Sequence, residues 1–338
     1  MKVVLDNIIF SLQKAGGISG MFSRLISGLM SYPGVDVYVL ERKDARSNLF
    51  RHIADIPEDR ILPMRSLPLI CERYLNPAYI KGMPKDEPYI FHSSYYRYCN
   101  DSKARNITTL HDFVYEAAKL RSPLATYVHS RQKREAVLRS VGVACVSNAT
   151  KKDLRRFIPE YDADKAVVIP NAPLCDYREA GTEGKNMQNI LWVGDRAYHK
   201  NFKPLVKALS GTAWRLVLCS STLSSQERAF INDYLLPGQW EHHIKVDDRT
   251  LSSLYKSSRC LVHPSIYEGF GIPVVEAQAH GLPVIIGRCK ATEEAGGGAA
   301  LVLPDYTPET IRAYIASLDS HRLYTDLFRR GKENASRF

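Results

Sequence analysis

The feature that most constrains this chain is an alternation that runs nearly its whole length. KVVLD, residues 2–6, leads into the amphipathic GMFSRLISGLMSYP. VDVYVLE, YIFHSS, NITTLHD, LATYVHSRQKREAVLRS, VGVACVS, ATKKDLRRF and AVVIPN then follow in order. Short β-branched runs separated by helical patterns are the rhythm of βαβ units, which build a parallel sheet with helices on both faces. The fold class read from this pattern is α/β.

The rhythm stops at APLCDYREAGTEGKNMQ, residues 172–188, which is polar and turn-rich and reads as a linker. It resumes with NILWVGD, KPLVKALS, WRLVLCS, SQERAFINDYLL, CLVHPS, PVVEAQAH, PVIIG and ALVLPD. A chain of 338 residues is long for one core, so two domains in series are expected. The expected bounds are 1–171 for the first domain, 189–325 for the second, and 326–338 for a C-terminal tail. That tail lies within LYTDLFRRGKENASRF, which reads as an amphipathic helix. Prolines at 57, 63, 68, 77, 84 and 88 make the stretch between them an irregular connection inside the first domain.

No apolar run approaches the roughly 20 residues that span a bilayer, and MKVVLDNIIF reads as a first strand rather than a signal peptide. The seven cysteines form no Cys-x-x-Cys pair, which suits a reducing, cytoplasmic setting. Net charge is +10 and uneven: residues 103–156 hold 12 Lys and Arg against 4 Asp and Glu. Nucleic acid, an anionic membrane surface or a phosphorylated substrate each fit that excess, and so do solvated helix faces.

SIYEGFGIPVVEAQAHGLPVI, residues 265–285, sets Glu268 and Glu276 eight positions apart around a Gly-Phe-Gly turn. Two acids so placed could be a hydrolase pair, a metal site, a hydroxyl clamp or two solvated side chains. Pro273 suits a helix start, and Gly281 followed by Pro283 a helix stop, so a helix over 273–280 is predicted. Both carboxylates can then face one pocket at its mouth, where free N–H groups attract anions. In WVGDRAYHKNF a glycine ends a strand and Arg196, His199 and Lys200 follow, well placed to neutralise phosphate. LQKAGGISGMF puts Gly17 and Gly20 in the last two positions of a dinucleotide fingerprint, with Ala15 in place of the first glycine. TTLHDFVYE sets His111 and Asp112 at a strand end. His242–His243 and Asp247–Asp248 lack metal-ligand spacing, and Asp248 reads as a helix cap.

In this order the pieces resemble the GT-B glycosyltransferases, specifically the retaining nucleotide-sugar transferases of glycosyltransferase family 4. GGIS is similar to that family's first glycine loop, TLHDF to its His-Asp strand end, and VSNATKKDL to its Ser-x-x-[ST]-x-x-Asp-Leu segment. VGDRAYHKN is similar to its cationic strand end, and PSIYEGFGIPVVEAQAHGLPVI to its Glu-x7-Glu signature. The resemblance implies two Rossmann-like domains whose parallel sheets face a central cleft. It implies that Glu268 engages donor-sugar hydroxyls and Glu276 the ribose. Phe270, Gly271 and Ile272 would offer backbone amides, and Arg196 and Lys200 would stabilise the diphosphate leaving group. Gly16 and Gly17 would lie against the phosphates, and His111 beside the reacting sugar. No cofactor and no metal are implied: the nucleoside-diphosphate sugar is a co-substrate, and the acceptor is a glycan or a lipid-linked glycan.

Two departures stand out. Many members place arginine directly after the strand glycine, where this chain has Asp195 and then Arg196. After WRLVLC comes Ser-Ser-Thr, where many have glycine and lysine or proline. The expected function is transfer with retention of anomeric configuration in cell-surface polysaccharide synthesis, with peripheral contact to an anionic inner membrane face. The competing readings are a sugar-nucleotide epimerase of the same architecture and, from another class, a basic nucleic-acid-binding protein.

Overall fold

A computed structural model describes residues 1–64, 67–83, 86–118, 122–175 and 187–338. The chain divides into two compact units, Met1–Pro170 and Asn171–Phe338.

In the first unit the strands are β1 (Lys2–Asp6), β2 (Asp36–Glu41), β3 (Ile61–Pro63), β4 (Tyr89–Ser93), β5 (Ala104–Leu110), β6 (Gly142–Cys145) and β7 (Val167–Val168). They form one parallel sheet in the order β3-β2-β1-β4-β5-β6-β7. Alternate residues serve opposite faces, as the pleat requires. Val3 and Leu5 pack with Phe22 and Ile26, while Val4 packs with Tyr89 and Phe91. The helix Gly17–Met30 supplies Ile18, Met21, Phe22, Leu25, Ile26 and Leu29 to the first of these cores, at the three- and four-residue spacing of one helical face. Strand β3 lies inside the stretch expected to be irregular. Its Pro63 is tolerated because β3 is an edge strand, where a missing N–H breaks no ladder bond.

The second unit holds β8 (Asn189–Val193), β9 (Arg215–Cys219), β10 (Trp240–His243), β11 (Cys260–His263), β12 (Val284–Ile286) and β13 (Leu301–Val302). These also form a parallel sheet, in the order β10-β9-β8-β11-β12-β13. Ile190 and Trp192 join Phe202, Leu205 and Val206 on one face. Leu191 joins Val274 and Ala277 on the other. In each sheet the winding direction reverses once, between β1 and β4 and between β8 and β11. Open parallel sheets bind ligands beyond the carboxyl ends of their strands at such a reversal.

Two expectations about the chain's organisation change. The supposed linker begins later than residue 172: the amides of Leu174 and Cys175 bond a side chain of the second unit, and Cys175 joins its core. Residues 176–186 of that stretch lie outside the described residues. The tail expected over 326–338 is instead the latter part of a helix, His321–Ala335, that is built into the second unit. Leu327 enters its core. Asn334 Nδ2 donates to Gln278 Oε1 at 2.7 Å and to the Ala295 carbonyl at 2.7 Å, and Gln278 Nε2 donates to the Gly296 and Ala299 carbonyls. A buried amide pair satisfied in this way fixes one helix on another. Gly281 closes the same contact: its φ is +67°, and a Cβ there would come within 2.3 Å of Phe328.

The cysteines are all free, and Cys145 and Cys260 are buried. Among the described residues no helix is long and apolar enough to cross a membrane.

Candidate active site

The reversal between β8 and β11 brings two loops together. After β8 the chain turns through Gly194, whose φ is +121°, and a short 3-10 turn, Tyr198–Lys200. After β11 it runs through Pro264 and Ser265 toward Glu268. The loops are tied by Ile266 N donating to the His199 carbonyl at 2.8 Å and by Asn201 Nδ2 donating to the Pro264 carbonyl at 3.0 Å. Lys200 Nζ thereby lies 2.9 Å from Glu268 Oε1. The same oxygen accepts from Ser265 Oγ at 2.8 Å and lies 3.2 Å from His263 Nε2. Burial pushes the Glu268 carboxyl upward, but Lys200 and then His263 outweigh it and hold the group well below the usual carboxylate range. Glu268 is therefore an ionised acceptor at neutral pH, 84% shielded from water and positioned by three side chains. His263 was not singled out in the sequence. Its place at the carboxyl end of a parallel strand, directly before the Pro-Ser of the glutamate loop, was the available signal.

The Gly-Phe-Gly turn behaves as its composition implies. Gly271 has φ +120°, and a Cβ there would approach Thr292 Cγ2 to 3.0 Å. The helix that follows is Ile272–Ala279, with no side-chain cap on its first turn and Pro273 near its start. Backbone amides of Gly271 and Ile272 thus sit at an uncapped helix N-terminus. The Phe270 side chain turns inward and meets Phe338 edge-on at 5.5 Å.

Glu276 has partners of its own, different from those of Glu268. Its Oε1 accepts from the amides of Leu174 and Cys175 at 3.1 and 3.3 Å, and its Oε2 from Tyr255 Oη at 2.8 Å. Burial raises its pKa, while the tyrosine and the two amides pull it back.

Arg196 has a different place from the one expected. Nε and Nη2 grip Glu227 at 2.7 and 3.3 Å, Nη1 donates to Ser220 Oγ and the Ser221 carbonyl, and Nη2 also donates to the Thr222 carbonyl. A guanidinium has five N–H donors, and these five bonds use them all. Glu227 closes a capping box with Ser224 at the start of the helix Ser225–Tyr234. Arg196 is thus a clasp on the turn after β9, and only Lys200 of the two expected cations meets Glu268. The two departures from the family pattern are one feature: the shifted arginine fills and ties the Ser220–Ser221–Thr222 turn.

In the first unit Gly16 precedes the helix Gly17–Met30 as its N-cap residue, with no capping side chain. His111 follows β5 and is buried; burial first, and then Lys133, lower its pKa to about 4, against an opposing pull from Asp112. Asp112 Oδ1 accepts from Val114 N at 3.0 Å and starts the next helix.

Residues 15–172 match the family model described as Glycosyltransferase Family 4, and residues 176–336 match that of Glycosyl transferases group 1. The O-antigen chain mannosyltransferase B of Escherichia coli is 26% identical over 274 residues, covering 75% of this chain and 71% of that relative. The O-antigen chain mannosyltransferase RfbU of Salmonella typhimurium is 30% identical over 178 residues, 50% of this chain, and the match spans 49% of the relative's length. HepE of Anabaena, solved in complex with UDP-glucose, matches with a TM-score of 0.71 at 13% identity, over 100% of this chain and 95% of that one. Two parallel-sheet halves, each matched by a glycosyltransferase model, make this chain a glycosyltransferase of the GT-B fold.

Proposed function

We propose that the protein is a retaining family 4 enzyme that moves a hexosyl group, mannosyl by the names of its relatives, from a nucleoside-diphosphate sugar to a glycan or lipid-linked glycan in polysaccharide assembly. The observation that carries this reading is the Lys200–Glu268 pair beside an uncapped helix N-terminus. Breaking a sugar–phosphate bond leaves positive charge at the anomeric carbon and negative charge on the departing diphosphate. Lys200 and the amides of Phe270, Gly271 and Ile272 answer the second charge, and preorganised donors of this kind contribute about 3–4 kcal/mol each. Glu268, ionised and shielded, orients sugar hydroxyls. Glu276 bonds the ribose at the edge of the segment it anchors. In the first unit, the family resemblance assigns Gly16 and Gly17 to the phosphates and His111, neutral at physiological pH, to the reacting sugar. The reaction needs no metal in this scheme, because Lys200 and the helix terminus neutralise the leaving group.

The acceptor side belongs to the first unit. Leu124, Tyr127 and Val128 are exposed on the helix Pro123–Leu138, near Arg131 and Arg134. Such a face favours peripheral contact with an anionic membrane, at roughly 1 kcal/mol per cation near the surface.

The test is incubation with UDP-, GDP- and ADP-sugars and a lipid-linked acceptor. Release of nucleoside diphosphate, with the new linkage keeping the donor's anomeric configuration by NMR, is expected for one donor. Absence of transfer with every donor, with no thermal shift from any nucleotide at millimolar concentration, refutes it. Inversion at the anomeric carbon refutes the mechanism alone.

A further inference from the structure

Lys133 lies in the basic run RQKR, part of the charge excess for which a solvated helix face is one of the open readings. The structure buries it completely. Its Nζ donates to the Asp112 carbonyl at 2.8 Å and to Glu116 Oε2 at 2.9 Å. It also stands over the Phe113 ring at 4.5 Å and the Tyr96 ring at 5.4 Å. A buried lysine demands this kind of compensation. Glu116 is held in turn by Ser130 Oγ at 2.9 Å.

The arrangement is more elaborate than helix packing requires. Tyr96 is buried with φ +50°, a left-handed conformation that a bulky side chain rarely adopts. Backbone outliers of this kind collect where surrounding structure enforces a functional geometry. Tyr96 follows β4 and His111 follows β5, which are neighbouring strands, so both stand at the carboxyl edge of the sheet. The cation between their loops holds the carbonyl of the residue directly after His111.

We propose that Lys133 is a positioning residue for His111: by fixing the Asp112 carbonyl, with Glu116 as its counter-charge and Tyr96 and Phe113 as its walls, it sets the orientation and environment of the His111 ring. The proposal rests on the reading of His111 as the group beside the reacting sugar. The charged and titratable groups that act on His111 are Asp112 on its own loop, His92 from β4, Tyr96 after β4, whose hydroxyl meets the His111 backbone, and Lys133 from the helix Pro123–Leu138; Glu116 lies behind Lys133. Lys133 and burial oppose a proton on His111, and Asp112 favours one.

The experiment uses the full chain with 13C-labelled histidine, comparing Lys133→Met and Lys133→Arg. In Lys133→Met the His111 titration midpoint should rise from its depressed value but stay below the ordinary one, because burial, the larger cause of the depression, remains. Turnover should fall at least tenfold, and the donor KM should change less than twofold. Lys133→Arg should restore most of both. If Lys133→Met does not fold, Lys133→Met/Glu116→Gln, which leaves no unpaired carboxylate, carries the same expectations. A folded variant whose His111 midpoint and turnover match the parent overturns the proposal. His111→Ala with full transfer activity would overturn the placement of His111 instead, and the shifted midpoint in Lys133→Met would still stand as a measurement of the brace.

Discussion

Arg196→Ala separates a clasp from a phosphate ligand. The substitution removes five hydrogen bonds, two of them to a carboxylate. Hydrogen bonds to charged groups contribute about 1.5–3 kcal/mol each when well shielded. Glu227 is 33% exposed, so solvent screening reduces that figure, and the serine and threonine partners can turn to water. A net loss of about 2 kcal/mol is expected, or roughly 4–8 °C in the melting of a unit this size. The assay is intrinsic fluorescence, because Trp192, Trp214 and Trp240 are the chain's three tryptophans and all lie in the second unit. It therefore reports that unit alone. The pH dependence adds a signature. The Arg196 hydrogen bond, ahead of that from Ser224, holds the Glu227 carboxyl at about 2 despite burial. A carboxyl lowered on folding contributes fully above its unfolded value near 4.5 and loses that contribution as pH falls through about 2. The gap between parent and Arg196→Ala should therefore be constant at neutral pH and narrow between these limits. Transfer measured well below the melting range should fall less than threefold. A variant that melts with the parent yet loses transfer a hundredfold would mean that Arg196 leaves Glu227 for the diphosphate, and the clasp reading would be wrong.

Lys200→Ala should lower kcat by about 10²–10³, the range for removing one preorganised donor, and Glu268→Ala, which removes the acceptor for the sugar hydroxyls, should also lower turnover, with nucleotide affinity changing far less in both; a loss confined to nucleotide Kd in calorimetry would contradict these roles. Asn334→Ala strands the Gln278 amide oxygen and the Ala295 carbonyl, at a cost of about 1–3 kcal/mol for buried unsatisfied groups; hydrogen exchange should rise first in residues 321–335, and uniform exchange would show that the helix is held by other contacts. His92 and His111 are both held by burial at about 4. Protons then favour the unfolded chain between 6.5 and 4, so the first unit should lose stability as pH falls through that window and level off below it; far-UV circular dichroism with urea at pH 7.5, 5.5 and 4.5 measures the trend, and stability flat across it would refute the buried neutral state.

The parallel sheets were legible because runs such as KVVLD, NILWV and CLVH carry buried side chains on both faces, leaving little alternative. Strand β3 was not, since Pro63 and its flanking polar residues look like a loop until the edge position is known. The Lys200–Glu268 meeting followed from two strand ends, but the identity of the cation did not. The sequence sets Arg196 apart from Lys200 only by its one-residue shift from the family pattern; what gives it a different place is Glu227, thirty-one positions later, whose role as a cap is visible only once Ser224 starts a helix. Lys133 was hidden by arithmetic: charge counting treats every cation as solvated, and this one is not. The docking of the C-terminal helix is not legible because its partner, Gln278, lies 56 positions away in sequence, inside the glutamate motif.

The Arg196 clasp also bears on how this scaffold could be altered or inherited. The turns after β8 and β9 come from separate stretches of sequence, yet one guanidinium makes them a single mechanical part. Grafting a relative's 220–222 turn while keeping Arg196 would leave the arginine with Glu227 but without its fitted partners in the turn, and moving the arginine alone would leave Glu227 and three backbone and hydroxyl groups without their donor. Exchange of this corner between lineages should succeed as a pair and fail piecemeal. Libraries that alter this corner would do best to randomise residues 195–196, 220–222 and 227 together.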